Sequence, residues 1–143
     1  MPWRLLEDRA TADIAFLASG GTLEELFRSA VDAATSAMIS DLSSLEPRER
    51  RDVSLSARDI DMLLFDLLQE VIFFKDVESL LVRLESACVS VNASRVSLAA
   101  SLCGEKIDPR RHELLGDVKG VALYRYRVRQ ASGGWEAEVI LDM

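Results

Sequence analysis

The pattern of apolar and polar residues in the first half of the chain predicts a strand followed by a helix. A short apolar run over residues 14–19 has the length of a buried strand, and a Gly-Gly pair ends it. Thr22 is followed three residues later by Glu25, which is the capping-box pattern of a helix start. Apolar residues then recur every three or four positions, so a helix with one apolar stripe is predicted down to about Ser40.

A second helix is predicted in the most apolar part of the chain. The polar segment 41–52 predicts a loop, and the alternation over 53–56 predicts a short strand. Ser56 and Asp59 repeat the capping-box spacing just before an apolar helix over 60–74. Because this helix is apolar around most of its circumference, we expect it to pack centrally, against a sheet and against the first helix.

The second half of the chain changes to a period of two, which is typical of β-strands. Within it, Leu98 and Leu102 share the core-facing parity, whereas Ser101 is predicted to face outward. Four strands in two hairpins are predicted, over 80–91, 96–107, 120–129 and 135–142.

This order of elements predicts an α+β fold, with two helices packed on a mainly antiparallel sheet. The length of 143 residues fits a single domain over residues 1–143, and 49% hydrophobic with 29% charged residues is an ordinary globular composition. Two cysteines make no disulfide framework, and no uncharged apolar run approaches the ~18 residues of a membrane span. We therefore expect a cytoplasmic protein that is a monomer or weak oligomer and does not associate with membranes.

The net charge of the chain indicates which classes of partner it can bind. Lys and Arg number 17 against 24 Asp and Glu, which gives a formal net charge of −7. An acidic chain gains no sequence-independent attraction to phosphate backbones, so we expect no direct, sequence-specific nucleic-acid binding.

Common catalytic signatures are absent from the sequence. It has no Walker-type phosphate loop, no Gly-x-Ser-x-Gly elbow and no His-Glu-x-x-His, and its single histidine excludes a two-histidine metal site. Cys88 and Cys103 fall in strand patterns and are predicted to be buried structural thiols. His112, with Asp108 and Glu113 nearby, has two interpretations: a general base oriented by a carboxylate, or part of a loop of solvated charges.

Arg125, Arg127 and Arg129 share one face of the last predicted hairpin and form an arginine ladder. This ladder has two interpretations: it binds phosphate, or it forms cross-strand ion pairs. If Gln130 lies opposite Trp135, Arg129 faces Glu136, Arg127 faces Glu138, and Arg125 faces Ile140.

Two groups of carboxylates are the remaining candidates for chemistry. Asp66 and Glu70 are four residues apart and share one helix face, which is either a solvated edge or a surface offered to a cation, a lysine or a partner. Asp13 and Asp142 lie at opposite ends of the chain. If folding brings them together with the carboxylate of Met143, they form an oxygen-rich site for a hard divalent cation.

Taken in order, these segments resemble the archease family over nearly the whole chain. The resemblance includes the closing aspartate and the abrupt end that follows it. It is carried by residues 11–14, 21–27, 63–70, 112–114, 118–121 and 139–143.

The resemblance implies an accessory protein and not an enzyme. Archeases promote the RtcB-type RNA-splicing ligase of tRNA splicing and RNA repair, which joins 3′-phosphate or 2′,3′-cyclic phosphate ends to 5′-hydroxyl ends, and they assist its GTP-dependent guanylylation and turnover. By this resemblance a divalent cation, calcium before magnesium or manganese, is held by Asp13 and Asp142 with a C-terminal oxygen of Met143. Asp66, Glu70 and Lys119 then support the metal site or contact the partner.

Four residues, in three segments, depart from the family pattern. Ala10 stands where the family usually has a histidine, Leu123-Tyr124 replaces Tyr-His, and Leu67 replaces a tryptophan. Two hypotheses follow: an archease that activates a ligase through a bound cation, or a metal-free interaction or chaperone-like adaptor of the same fold with a different partner.

Overall fold

The computed structural model of the protein describes residues 2–6 and 13–143. Two helices and seven strands are present in this part of the chain, with one 3₁₀ turn at Leu42–Ser44. In chain order the elements are β1 (Trp3–Leu6), β2 (Ile14–Gly20), α1 (Leu23–Ser36), β3 (Glu49–Ala57), α2 (Ile60–Glu78), β4 (Leu80–Val91), β5 (Val96–Lys106), β6 (Gly120–Ala131) and β7 (Gly134–Asp142).

The strands form two antiparallel sheets, and the helices lie between them. One sheet has the order β1-β2-β7-β6 and the other has the order β3-β5-β4. Both helices contact strands of both sheets, whereas no described strand of one sheet approaches a strand of the other. The predicted α+β class is confirmed. The strands form two sheets, however, and not the single sheet that was expected.

Helix α1 begins as predicted. The Thr22 hydroxyl oxygen accepts a hydrogen bond from the Glu25 backbone N–H at 3.1 Å, which satisfies one of the free donors of the first turn. The preceding turn needs Gly20, because a Cβ there would lie 2.4 Å from the Leu26 backbone nitrogen. The helix ends at Ser36, four residues before the predicted end, and Ile39 forms a β-bridge with Leu114 instead.

Polar residues of α1 are buried as well, because the helix has a sheet on either side. The Thr35 hydroxyl donates to the Val82 carbonyl at 2.9 Å. Asp32 accepts two hydrogen bonds from the Arg83 guanidinium, at 2.9 and 3.0 Å. These bonds connect α1 to β4 and remove the cost of burying unpaired polar groups.

Helix α2 is capped by Asp59, so the prediction of a cap at Ser56 is wrong. The Asp59 carboxylate accepts a hydrogen bond from the Met62 backbone N–H at 2.9 Å, while Ser56 remains in β3. The helix continues four residues beyond its predicted end, to Glu78. It stops where Ser79 adopts the left-handed conformation, with φ of 53°.

The strand predictions are correct in order and partly wrong in extent. β4 has its predicted bounds, and β5 differs by one residue. β3 begins at Glu49, within the predicted loop, and β1 was not predicted. Ser101 lies on the outward face as predicted, opposite the exposed Asp52 of β3. It is nevertheless covered, because its hydroxyl donates to the Asp52 carboxylate at 2.7 Å and accepts from Arg50 at 2.9 Å.

Within the described ranges, no helix is long and apolar enough to cross a membrane.

Candidate functional site

Strands β2 and β7 bring the two distant ends of the described chain together. Ile14 and Leu141 are register partners, so Asp13 and Asp142 are the next residues along the same antiparallel pair. The Met143 backbone N–H donates a hydrogen bond to the Asp13 carboxylate at 3.4 Å. Two acidic residues 129 positions apart in sequence therefore lie side by side at one end of the sheet.

The sheet gives these two aspartates a common orientation. Leu141 is buried in the core, and residues alternate faces along a strand, so the exposed Asp142 points away from the core. Met143 packs back against the core and over Gly116, where a Cβ would lie 2.8 Å from the methionine Cε. This packing holds the end of β7 against the loop that precedes β6.

Lys119 lies beside the same strand end. Its backbone N–H donates to the Asp142 carbonyl at 2.7 Å, and its side chain is exposed. The next residue, Gly120, is the register partner of Asp142. The structure thus places Lys119 close to the acidic pair, whereas its predicted supporting role remains a prediction.

The other predicted pair, Asp66 and Glu70, lies on α2 where that helix packs against β6. Both side chains are half-buried. Between them, Gln69 accepts a hydrogen bond from the Val121 backbone N–H at 3.1 Å. Asp66 acts electrostatically on Tyr126, the pKa of which is raised first by burial and then by nearby carboxylates that include Asp66.

The side chains at the ends of β2 and β7 carry the type of donor atom that a hard cation prefers. Asp13 and Asp142 supply carboxylate oxygens, the ligands that calcium and magnesium take. No group of three or more His, Cys, Asp or Glu side chains within residues 2–6 and 13–143 is arranged to hold a metal ion. Thr11 and Ala12 of the motif, and Ala10 at the position of the family histidine, lie outside the described residues.

His112 is a buried structural residue, and both interpretations from sequence are wrong. The residue is only 3% exposed; its Nδ1 accepts from the Asp108 backbone N–H at 2.9 Å, and its Nε2 lies 3.0 Å from Glu105. The second oxygen of Glu105 pairs with Arg111. Because Nδ1 accepts, the proton is on Nε2 and is donated to Glu105, so the imidazole holds the loop after β5 and offers no free base.

The two thiols are more exposed than predicted. Cys88 is exposed and Cys103 is half-buried. The Cys103 thiol donates to the Glu85 carboxylate at 3.2 Å. Burial and this carboxylate raise the pKa of Cys103, which keeps it protonated and unreactive.

The arginine ladder on β6 consists mainly of ion pairs. Arg127 lies 3.4 Å from Glu138 and Arg129 lies 2.8 Å from Glu136, in the predicted register. The predicted position of Arg125 opposite Ile140 is wrong, because the register shifts between residues 122 and 127 and Ala122 takes that place. This irregularity in β6 was missed at the sequence level.

Comparison with known proteins agrees with this architecture. The profile of the "Archease protein family (MTH1598/TM1083)" matches residues 3–143. A protein named archease from Aeropyrum pernix is 32% identical over 139 residues, covering 96% of each chain. The solution structure of protein 1598 of Methanobacterium thermoautotrophicum has a TM-score of 0.84 at 30% identity and covers 99% of each chain. The fold is also that of a Thermotoga maritima archease described as a possible chaperone, with a TM-score of 0.62, 14% identity and 96% coverage of each chain.

Proposed function

Because the chain belongs to the archease family, we propose that it is a non-enzymatic accessory protein that activates an RtcB-type RNA-splicing ligase. It would promote GTP-dependent guanylylation of the ligase and its repeated turnover. The observation that carries the proposal is the meeting of Asp13 with Asp142 and Met143 at the ends of β2 and β7. These residues match the acidic positions through which the family resemblance implies cation binding.

The proposed site would hold a divalent cation, calcium before magnesium or manganese, between the carboxylates of Asp13 and Asp142. When bound, the cation would offset the repulsion between the two carboxylates and offer positive charge to a phosphate group. Asp13 is oriented by the Met143 N–H, and Asp142 is held through its carbonyl by Lys119. The net charge of −7 favours approach to a basic ligase cleft.

A guanylylation assay tests the proposal. The ligase is mixed with GTP alone, with the wild-type protein, or with the Asp13→Asn/Asp142→Asn variant. We expect the wild-type protein to raise the rate and the variant to reduce the stimulation at least about tenfold, because neutral amides replace both charged side-chain ligands of the shared ion.

A matched control removes the same charge elsewhere. Glu25→Gln/Asp52→Asn also eliminates two negative charges, one at the start of α1 and one on the three-stranded sheet. This control is expected to stimulate like the wild type. Equal guanylylation with and without the wild-type protein would refute the proposal.

A metal-free adaptor of the same fold is the second candidate. It is favoured by the lack of a third side-chain ligand in the described part of the chain. Calorimetry with calcium, magnesium and manganese distinguishes the two candidates. Binding heat that disappears in Asp13→Asn/Asp142→Asn supports the metal-dependent activator, and no heat with any of the three ions supports the adaptor.

A further inference from the structure

Strand β6 departs from regular pairing over four residues. Its register with β7 changes from Ala122–Ile140 to Arg127–Glu138, so residues 123–126 lie opposite the single residue Val139. We call these four residues the β6 bulge. β6 is an edge strand of the four-stranded sheet, and bulges on edge strands interrupt strand pairing and redirect side chains.

The bulge is fixed at one end and exposed at the other. Tyr126 donates a hydrogen bond to the Asp61 carbonyl at 2.6 Å, and its ring packs edge-to-face on Phe65 at 5.8 Å. In contrast, Leu123 is 63% exposed and Tyr124 is 68% exposed. The Tyr126 side chain thus fixes one end of the bulge, while Leu123 and Tyr124 extend into solvent.

Arg125 carries both strain and an available charge. Its φ of 58° is in the left-handed region, which costs a non-glycine residue free energy and is typical of functional segments. Its guanidinium bonds to the Tyr124 hydroxyl at 3.3 Å and lies 5.5 Å from the centre of that ring. Among the described residues it forms no ion pair, whereas Arg127 and Arg129 each pair with a glutamate.

The bulge lies near the acidic pair. Gly120 is opposite Asp142, and the bulge begins three residues further along β6, a distance of about 10 Å at roughly 3.4 Å per residue. A cleft of about 330 Å³ next to the bulge is lined by Arg125, Tyr126, Arg127 and Glu138. A protein that covers the bulge would therefore also cover the ends of β2 and β7.

We propose that the β6 bulge is the element through which this protein docks on the ligase, an inference that rests on the proposed function. Leu123 and Tyr124 enter an apolar recess of the partner, and Arg125 pairs with a carboxylate at the rim of that recess. Exposed aromatic and arginine side chains are the residues that most often dominate binding energy at protein interfaces. Because the bulge breaks the backbone pattern of the edge, the partner is recognised by these side chains and not by strand addition.

A protein partner fits these observations better than RNA does. The chain is acidic overall, so its net charge gives no sequence-independent attraction to a phosphate backbone. Arg125 also lies over the Tyr124 ring, where it occupies area on which a base would stack.

The test measures the affinity of the purified ligase for the wild-type protein, two bulge variants, one control variant and the acidic-pair variant. Leu123→Ser/Tyr124→Ser is expected to weaken binding at least about tenfold. Arg125→Gly is expected to weaken binding severalfold while Tm stays unchanged or rises, because glycine adopts a φ of 58° without strain. The matched control is Val91→Ser on β4, an equally exposed apolar residue of the other sheet, which is expected to bind like the wild type.

The outcomes separate docking from activation. Asp13→Asn/Asp142→Asn is expected to bind the ligase but not to stimulate it. Wild-type affinity in both bulge variants would overturn the docking inference and leave the proposed function standing, whereas a wild-type protein that neither binds nor stimulates the ligase overturns both. The last experiment measures binding of a fluorescent single-stranded RNA to the protein in the absence of the ligase. RNA binding that depends on Tyr124 would assign the bulge to RNA and overturn the inference.

Discussion

At the scale of single residues, the partner of His112 shows how burial changes the role of a reactive side chain. Its sequence neighbours Asp108 and Glu113 suggest an exposed acid–base group. In the structure the loop after β5 folds back, so the imidazole meets Glu105, seven residues earlier. Glu113 instead accepts a hydrogen bond from the Ser40 hydroxyl at 2.8 Å, on the surface. The same residue types thus provide stability and not catalysis.

Substitution of His112 tests this structural role. His112→Ala is expected to lower the free energy of unfolding by about 2–4 kcal/mol, because it leaves the Asp108 N–H without its acceptor, removes a partner of the buried Glu105 and opens a cavity. Denaturant unfolding followed by circular dichroism measures the change. Glu113→Ala is the control and is expected to cost less than about 1 kcal/mol at its exposed site. Equal, small effects of both substitutions would contradict the structural role.

At the scale of elements, local patterns located the helices and strands but did not always select the residue that ends them. Thr22–Glu25 and Ser56–Asp59 have the same spacing, yet only Thr22 caps as predicted. At the second helix, pairing of β3 with β5 keeps Ser56 in extended conformation as far as Ala57, so the helix can start only after Asp59. Sheet pairing, which is a long-range contact, thus overrode a local signal as good as the one at Thr22.

The predicted and the observed cap of α2 can be compared directly. Asp59→Ala is expected to lower the free energy of unfolding by about 1 kcal/mol, because the Met62 N–H loses its side-chain acceptor. Ser56→Ala, on the exposed face of β3, is expected to cost less than about 0.5 kcal/mol. Thermal unfolding of the two variants side by side provides the measurement. A larger loss for Ser56→Ala would show that the cap is misassigned.

The irregularity of β6 did have a signal in the sequence. At the start of β6 the odd-numbered Val121 faces the core. Further along the strand the even-numbered Tyr126 and Val128 face the core instead. The partner strand β7 keeps one parity throughout, with Ala137, Val139 and Leu141 all in the core. A change of parity within one strand of a regular pair indicates inserted residues, which is how the β6 bulge could have been predicted.

At the scale of the whole molecule, the helical layer and the strand order explain where the candidate site forms. The two helices separate the sheets, so each sheet has one face on the core and one face toward solvent. Within the four-stranded sheet, β2 and β7 are neighbours although they are far apart in sequence. The acidic pair lies at the end of these strands, on the face of the sheet that points away from the core.

A site built from both ends of the chain should couple metal binding to global unfolding. Calcium at about 100 times its dissociation constant is expected to stabilise the wild type by about 2.7 kcal/mol, since the unfolded chain does not bring Asp13 and Asp142 together. Scanning calorimetry with calcium, and again after a chelator, measures the rise in Tm and its reversal. Asp13→Asn and Asp142→Asn should each remove most of the rise. A calcium-dependent rise that persists in both single variants would place the ion elsewhere.

The sequence by itself determined the class of the fold, the two helices, the β4–β5 and β6–β7 hairpins and the ion pairs of Arg127 and Arg129, because periodicity and hairpin register are local properties. The acidic residues at the two ends were candidates from the sequence, but only the family resemblance implied that they share a cation. Only the tertiary structure decided that β2 lies beside β7 and that His112 pairs with Glu105. The first feature depends on contacts between residues distant in sequence, and the second depends on how the loop after β5 folds back, and no local pattern encodes either.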